Sequence, residues 1–136
     1  FKKFHPGGNL GKNLRTISEL MHAKDSIPIV KENQNMSKAL LIMTRKSFGC
    51  VGVVNNKNII VGIITDGDLR RKLNAKLFEK KANEVMTKKP FLANGKMLVG
   101  EALNLMNNKK ITSLFICNKK KPVGIIHIHD LLRLAD

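Results

Sequence analysis

The stretch GIITDGDL at residues 62–69 returns as GIIHIHDL at 124–131, with five of the eight positions identical and a Val before the Gly each time. Each copy reads as a strand that runs into the first turn of a helix. Only the tips differ: Thr65-Asp66-Gly67 in the first copy stands where His127-Ile128-His129 stands in the second.

Working outward, the whole chain repeats with small gaps, as indels in loops allow. SELM (18–21) answers NEVM (83–86), and IPIV (27–30) answers PFLA (90–93). SKALLIM (37–43) answers GEALNLM (100–106), and CVGVVN (50–55) answers SLFICN (113–118). Each copy decodes as a short apolar strand and then a segment with apolar residues at helical spacing. Met36, Ala39, Leu40 and Met43 mark that segment in one copy, and Val99, Ala102, Leu103 and Met106 in the other. Two buried strands joined by a polar turn follow, and a helix closes the unit. The order β-α-β-β-α, written twice, predicts an α/β (α+β) fold. Neither half can cover both faces of a three-stranded sheet alone, so the halves are expected to pack on each other as a pseudo-twofold pair. The expected division is a linker over 1–15, a first unit over 16–76 and a second over 77–136.

A chain of 136 residues, 43% hydrophobic and 26% charged, suits a globular protein with one core or two interdependent half-cores. No apolar run approaches the roughly 20 residues that a membrane span needs, and no signal peptide opens the chain. Phe1 in place of Met suggests a piece of a longer protein. Cys50 and Cys117 lie in apolar runs without a CxxC or Cys/His cluster, which reads as buried, reduced thiols and a cytoplasmic location. The net charge of +15 comes from 25 Lys and Arg against 10 Asp and Glu. Lysines are scattered over helices and turns, with no Tyr or Trp to stack on bases. That field favours small anions and argues against a dedicated nucleic-acid binder.

The junction itself allows two readings. A helix N-terminus offers unpaired N–H groups to a phosphate, Thr65 can bond a phosphate or sugar oxygen, and Asp68 can accept both hydroxyls of a ribose. Thr-x-x-Asp is equally a variant capping box that serves only the helix. The two roles can coexist. In the second copy His127 looks a poor cap, which leaves hydrogen bonding to a nucleotide or sugar acid by His127, His129 and Asp130, or simple surface histidines. Two His and one Asp so close are a weak zinc signal, and no metal is expected. The backbone of the first strand of each half, SIPIV (26–30) with Ile27, Pro28 and Ile29 and KPFLA (89–93), is expected to line the pocket. Lys88 and Lys89, ahead of Pro90, are candidates for phosphate binding or for solvated surface.

The order, the length and the G-h-h-T-x-x-D motif at Gly62–Asp68 resemble a tandem pair of CBS domains over about residues 16–135; the second motif departs by placing His127 where Ser or Thr is usual. The resemblance implies a regulatory module that binds nucleotides in clefts between its halves. FHPGGNLG at 4–11, followed by TISELM and the pair, further resembles the junction in arabinose-5-phosphate isomerases of the KpsF/GutQ type. In that family a sugar isomerase (SIS) domain ends in H-P-G-G-x-L-G. The resemblance implies a parent enzyme that interconverts ribulose 5-phosphate and arabinose 5-phosphate on the route to Kdo and lipopolysaccharide. His5 matches the family's catalytic His, needed as a base between C1 and C2, but without the SIS domain this chain should be inert. The implied regulatory ligand is CMP-Kdo or an adenine nucleotide (AMP or ATP), with no cofactor required. The implied partners are the SIS domain and further copies, as a CBS dimer within a tetrameric parent. The alternative is a purely structural oligomerisation module without a ligand.

Overall fold

A computed structural model describes residues 14–135; His5 and the rest of the FHPGGNLG segment lie outside them. Apolar runs become strands and the helical spacings become helices. In the first repeat, β1 (Ile29–Lys31) leads through α1 (Met36–Lys46) to β2 (Cys50–Val54), which turns into β3 (Ile60–Thr65) and α2 (Asp66–Arg71). The second repeat opens with α3 (Ala82–Val85) and β4 (Thr87–Lys88). It continues with β5 (Leu92–Ala93), α4 (Val99–Lys109), β6 (Ser113–Asn118), β7 (Lys121–His127) and α5 (Ile128–Ala135). Strands β1 and β2 pair in parallel, as do β5 and β6, because a helix crosses over between them. The hairpins β2–β3 and β6–β7 are antiparallel.

Helix ends follow local chemistry. The Asn35 side chain caps α1 by accepting the Lys38 N–H at 3.1 Å. Helices α1 and α4 both stop at a residue in the left-handed region, Ser47 (φ 63°) and Lys110 (φ 56°), which are equivalent positions of the repeat.

The two repeats do not fold side by side. Each sends its leading segment across to the other's sheet. Strand β4 belongs to the second repeat, yet it pairs with β3 to complete a sheet in the order β1-β2-β3-β4. In return, His22 of the first repeat bridges Ile125 of β7, exchanging N–H···O bonds of 2.8 and 2.9 Å. Ile17, fully buried, joins the core formed by Val99, Leu103, Leu114, Ile126 and Leu131 of the second repeat. Ala82 and Val85 likewise join the core of Met36, Val51, Val53 and Ile64. Met21 packs on Gly124 and Met86 on Gly62, so a methyl group at either Gly would collide with a thioether. This explains why VG and the upstream Met recur together: the Gly of one copy holds space for the Met of the other.

Between the sheets lies a third core of Cys50, Val54, Ile60, Phe115, Cys117 and Ile125. Strand β2 is buried on both faces, one toward α1 and one toward the second sheet, which is why it is an unbroken apolar run.

Candidate functional site

Both strand-to-helix junctions open toward the seam between the repeats. At the first, a cavity of 510 Å³ is lined by Thr65, Asp66, Gly67, Asp68, Arg70 and Arg71 from the junction. From the second repeat it takes Thr87, Lys89, Pro90, Phe91 and the 110–113 turn. Four cations, Arg70, Arg71, Lys89 and Lys110, face two carboxylates there. Phe91 is half exposed, with the Lys109 ammonium 4.8 Å from its ring centre.

Asp68 is the buried centre of this site, at 3% exposure. Its Oδ2 accepts the Thr65 N–H at 2.9 Å and the Thr65 hydroxyl at 3.2 Å. Its Oδ1 accepts from Arg71 Nη2 at 2.5 Å and from the Thr87 hydroxyl at 3.1 Å. The Thr65 hydroxyl oxygen in turn accepts the Asp68 N–H at 3.2 Å, closing the capping box. Four donors occupy the lone-pair sites of one carboxylate. A further hydroxyl donor therefore reaches Asp68 only by displacing one of these. Arg71, two-thirds exposed, is the donor that leaves at least cost.

At the second junction a cavity of 550 Å³ is lined by His127, Ile128 and His129 with Ser47, Phe48, Thr112 and one face of α1. The two cavities share Gly49, Asp66 and Thr112 as a common wall. Asp130 repeats the engagement of Asp68: Arg133 donates to Oδ1 at 2.6 Å, and the His127 N–H donates to Oδ2 at 2.9 Å. At the sequence position of Thr87 stands His22, whose Nε2 lies 3.1 Å from Asp130 Oδ2, the oxygen opposite the one Arg133 holds.

One expectation needs correction. His127 is not a poor cap, because its Nδ1 accepts the His129 N–H at 3.1 Å. A neutral imidazole has one acceptor nitrogen, and the surroundings of His127 favour that neutral form. Burial first, then the neighbouring His129, push its pKa below the usual histidine value, with Asp130 opposing and His22 adding to the fall. The second junction is thus also capped, with an imidazole that accepts the N–H two residues on where the Thr65 hydroxyl accepts the one three residues on. The tilted rings of His127 and His129, 4.6 Å apart, do not form a chelate. Among the described residues no three His, Cys, Asp or Glu side chains group as a metal site requires.

Of the other expected residues, Lys89 lines the first cavity, whereas Lys88 lines a separate groove with Lys120 and Met86. Ile27, Pro28 and Ile29 line neither junction cavity. Ile27 and Ile29 pack against the core between the sheets, and the Pro28 carbonyl accepts the Gly52 N–H at 2.8 Å. Strand β1 is an edge strand whose paired side faces β2, and its start lies outside the linings of both junction cavities. KPFLA was expected at the pocket through its backbone, and Lys89, Pro90 and Phe91 do line the first cavity; Thr87 and Arg71 were not singled out from sequence. Thr87 is found only through the crossing of β4, which no local pattern announces.

A family model for the CBS domain matches residues 14–75 and again residues 82–136. The chain belongs to the CBS-domain family. Among curated relatives, this CBS pair is 42% identical over 135 residues to the uncharacterized protein RP505 of Rickettsia prowazekii, covering 99% of this chain and 42% of that protein. It is 38% identical over 136 residues to the arabinose 5-phosphate isomerase KdsD of Escherichia coli K12, covering 98% of this chain and 42% of the isomerase. The chain therefore spans less than half the length of these relatives. Among solved structures it superposes on CBSX2 of Arabidopsis thaliana, determined in complex with AMP. That match has a TM-score of 0.76 at 23% identity, over 89% of this chain and 96% of the other. At that identity the likeness shows the fold alone.

Proposed function

We propose that this CBS pair is the regulatory part of an arabinose-5-phosphate isomerase and that it binds a nucleotide in the Asp68 cavity. The observation that carries the reading is the junction of a buried, multiply bonded carboxylate with a cation-rich cavity between two repeats. The ribose hydroxyls donate to Asp68 Oδ1 in place of Arg71 and Thr87. The displaced Arg71, together with Arg70, Lys89 and Lys110, then meets the phosphate, while the base lies against Ile63, Pro90, Phe91 and Ile111. AMP-like nucleotides and CMP-Kdo share the ribose and the phosphate, and the acidic sugar of CMP-Kdo adds a second anion suited to the same cations. The 38% identity to KdsD supports the link to an isomerase, and CBSX2 with AMP supports a nucleotide as the ligand class. In the parent, the SIS domain precedes residue 16 and His5 serves its active site as a proton carrier, so this chain alone has no isomerase activity.

Melting temperature with and without ligand tests the reading. A nucleotide at 100 times its dissociation constant adds about 2.7 kcal/mol of stability, a shift of several degrees for a chain of this size. The shift is expected with AMP or CMP-Kdo and is lost in Asp68→Ala. No response to either ligand defeats the proposal. The exposed apolar side chains Leu41 on α1 and Leu132 on α5 favour an added role in assembly of the parent. Deleting residues 16–136 from the parent then weakens its tetramer.

A further inference from the structure

We infer that the two junction clefts are unequal in use: the Asp68 cleft takes the nucleotide, and the Asp130 cleft is closed by the chain's own Phe48 and His22, so that each chain binds one ligand. The inference rests on the nucleotide-binding reading above and assigns a part to two residues that lie outside both motifs.

The argument comes from equivalent positions. Asp68 and Asp130 match, as do Arg71 and Arg133. Around them four pairs diverge in the same direction. Thr87 corresponds to His22, Ile111 to Phe48, Thr65 to His127 and Gly67 to His129. Each of these four puts an aromatic ring where the first cleft has a small or aliphatic group, while Phe91, opposite Pro28, goes the other way. The rings also touch: His22 meets Phe48 edge-on with centres 5.2 Å apart, while its Nε2 lies against Asp130. Phe48 is fixed from behind, since its carbonyl accepts the Ser113 hydroxyl at 3.0 Å.

The consequence is visible in what lines each cavity. Asp68, Arg71 and Thr87 all face the first cavity. Their counterparts Asp130, Arg133 and His22 do not face the second, which spreads instead over α1 at Leu40, Met43 and Thr44. Depth is not the cause, because the Asp130 side chain is slightly more exposed than that of Asp68, 11% against 4%. The His22–Phe48 pair stands beside Asp130 where the first cleft has Thr87 and Ile111. Thr87 yields its bond to a sugar hydroxyl by rotating one torsion. His22 yields its own only by moving a ring out of contact with Phe48.

Isothermal titration with AMP, compared between the chain and its His22→Thr/Phe48→Ile variant, tests this. The variant installs two of the first cleft's residues, those of the His22–Phe48 pair, in the second, and its fold is checked by circular dichroism. The expected stoichiometry is one AMP per chain in the parent sequence and two in the variant, with the first affinity changed less than threefold. Two equivalents in the parent sequence overturn the inference while leaving nucleotide binding intact. A folded variant that still binds one also overturns it. Absence of binding to both proteins overturns the nucleotide reading on which it rests.

Discussion

Phe115 sits over Gly52 across the seam, its Cζ only 2.9 Å from where a Gly52 Cβ would stand, and the two residues occupy the same position of their repeats. A strict duplicate would place two rings or two hydrogens there. Two rings cannot share the pseudo-twofold axis and two glycines would leave a hole, so the pair has diverged into one large and one absent side chain. Substituting Gly52→Ala overpacks the seam and is expected to cost about 1–3 kcal/mol. Phe115→Ala leaves a cavity and costs about 3–5 kcal/mol. Denaturant unfolding of the double variant is expected to show less loss than the sum, because the new methyl group enters the space the ring vacated. Strict additivity would mean that the two residues do not meet.

The crossing of leading segments makes the halves interdependent. Ile17 is buried in the second core, and Ala82 with Val85 in the first. Residues 16–76 expressed alone lose the partners of Ile17 and Met21 and lack β4 beside β3. Such a fragment is expected to give poorly dispersed amide resonances, and mixing it with residues 77–136 should restore dispersion. A fragment folded alone would contradict the exchange.

His127 gives a pH dependence of known sign. Its folded pKa lies below the ordinary histidine value, so between the two the unfolded chain binds more protons. Stability therefore rises with pH through this range and falls as the pH drops below about 6.5, the ordinary value. Protonation also removes the acceptor that caps His129. Melting temperature is expected to fall between pH 7.5 and 5.5, with a shallower slope in His127→Ser, which keeps a capping oxygen but cannot titrate. An unchanged slope would show that the dependence lies elsewhere.

The thiols should be inert at neutral pH. Burial pushes Cys50 up to about 12, against a smaller opposing effect of the Ser113 hydroxyl, and Cys117 up to about 11. Ellman's reagent is expected to label both at once in denaturant and neither on the same timescale in the folded chain. Rapid labelling at pH 7.5 without denaturant would contradict their burial.

Much of this architecture was legible in the chain because the repeat doubles every signal. A single GIITDGDL is a strand and a cap; two of them, each with an upstream helix and hairpin, define a pair. Asp68 and Thr65 were legible for the same reason, and the structure gathers them in one cavity with Lys89. The contributions of Thr87, His22 and Phe48 were not, because they depend on which strand crosses to which sheet. The capping action of His127 was missed because it depends on protonation state, which burial and neighbouring imidazoles decide. Ile27, Pro28 and Ile29 were expected at the pocket, but Ile27 and Ile29 pack against the core between the sheets and the Pro28 carbonyl bonds to β2, away from both cavities.

The most direct test of a nucleotide at Asp68 is a crystal structure of the chain grown with AMP at tenfold its dissociation constant. The account predicts ribose hydroxyls within hydrogen-bond distance of Asp68, Arg71 turned toward the phosphate, and Phe48 and His22 still in contact at the other junction. Ribose against Asp130 with Asp68 still bonded to Arg71 and Thr87 would contradict it.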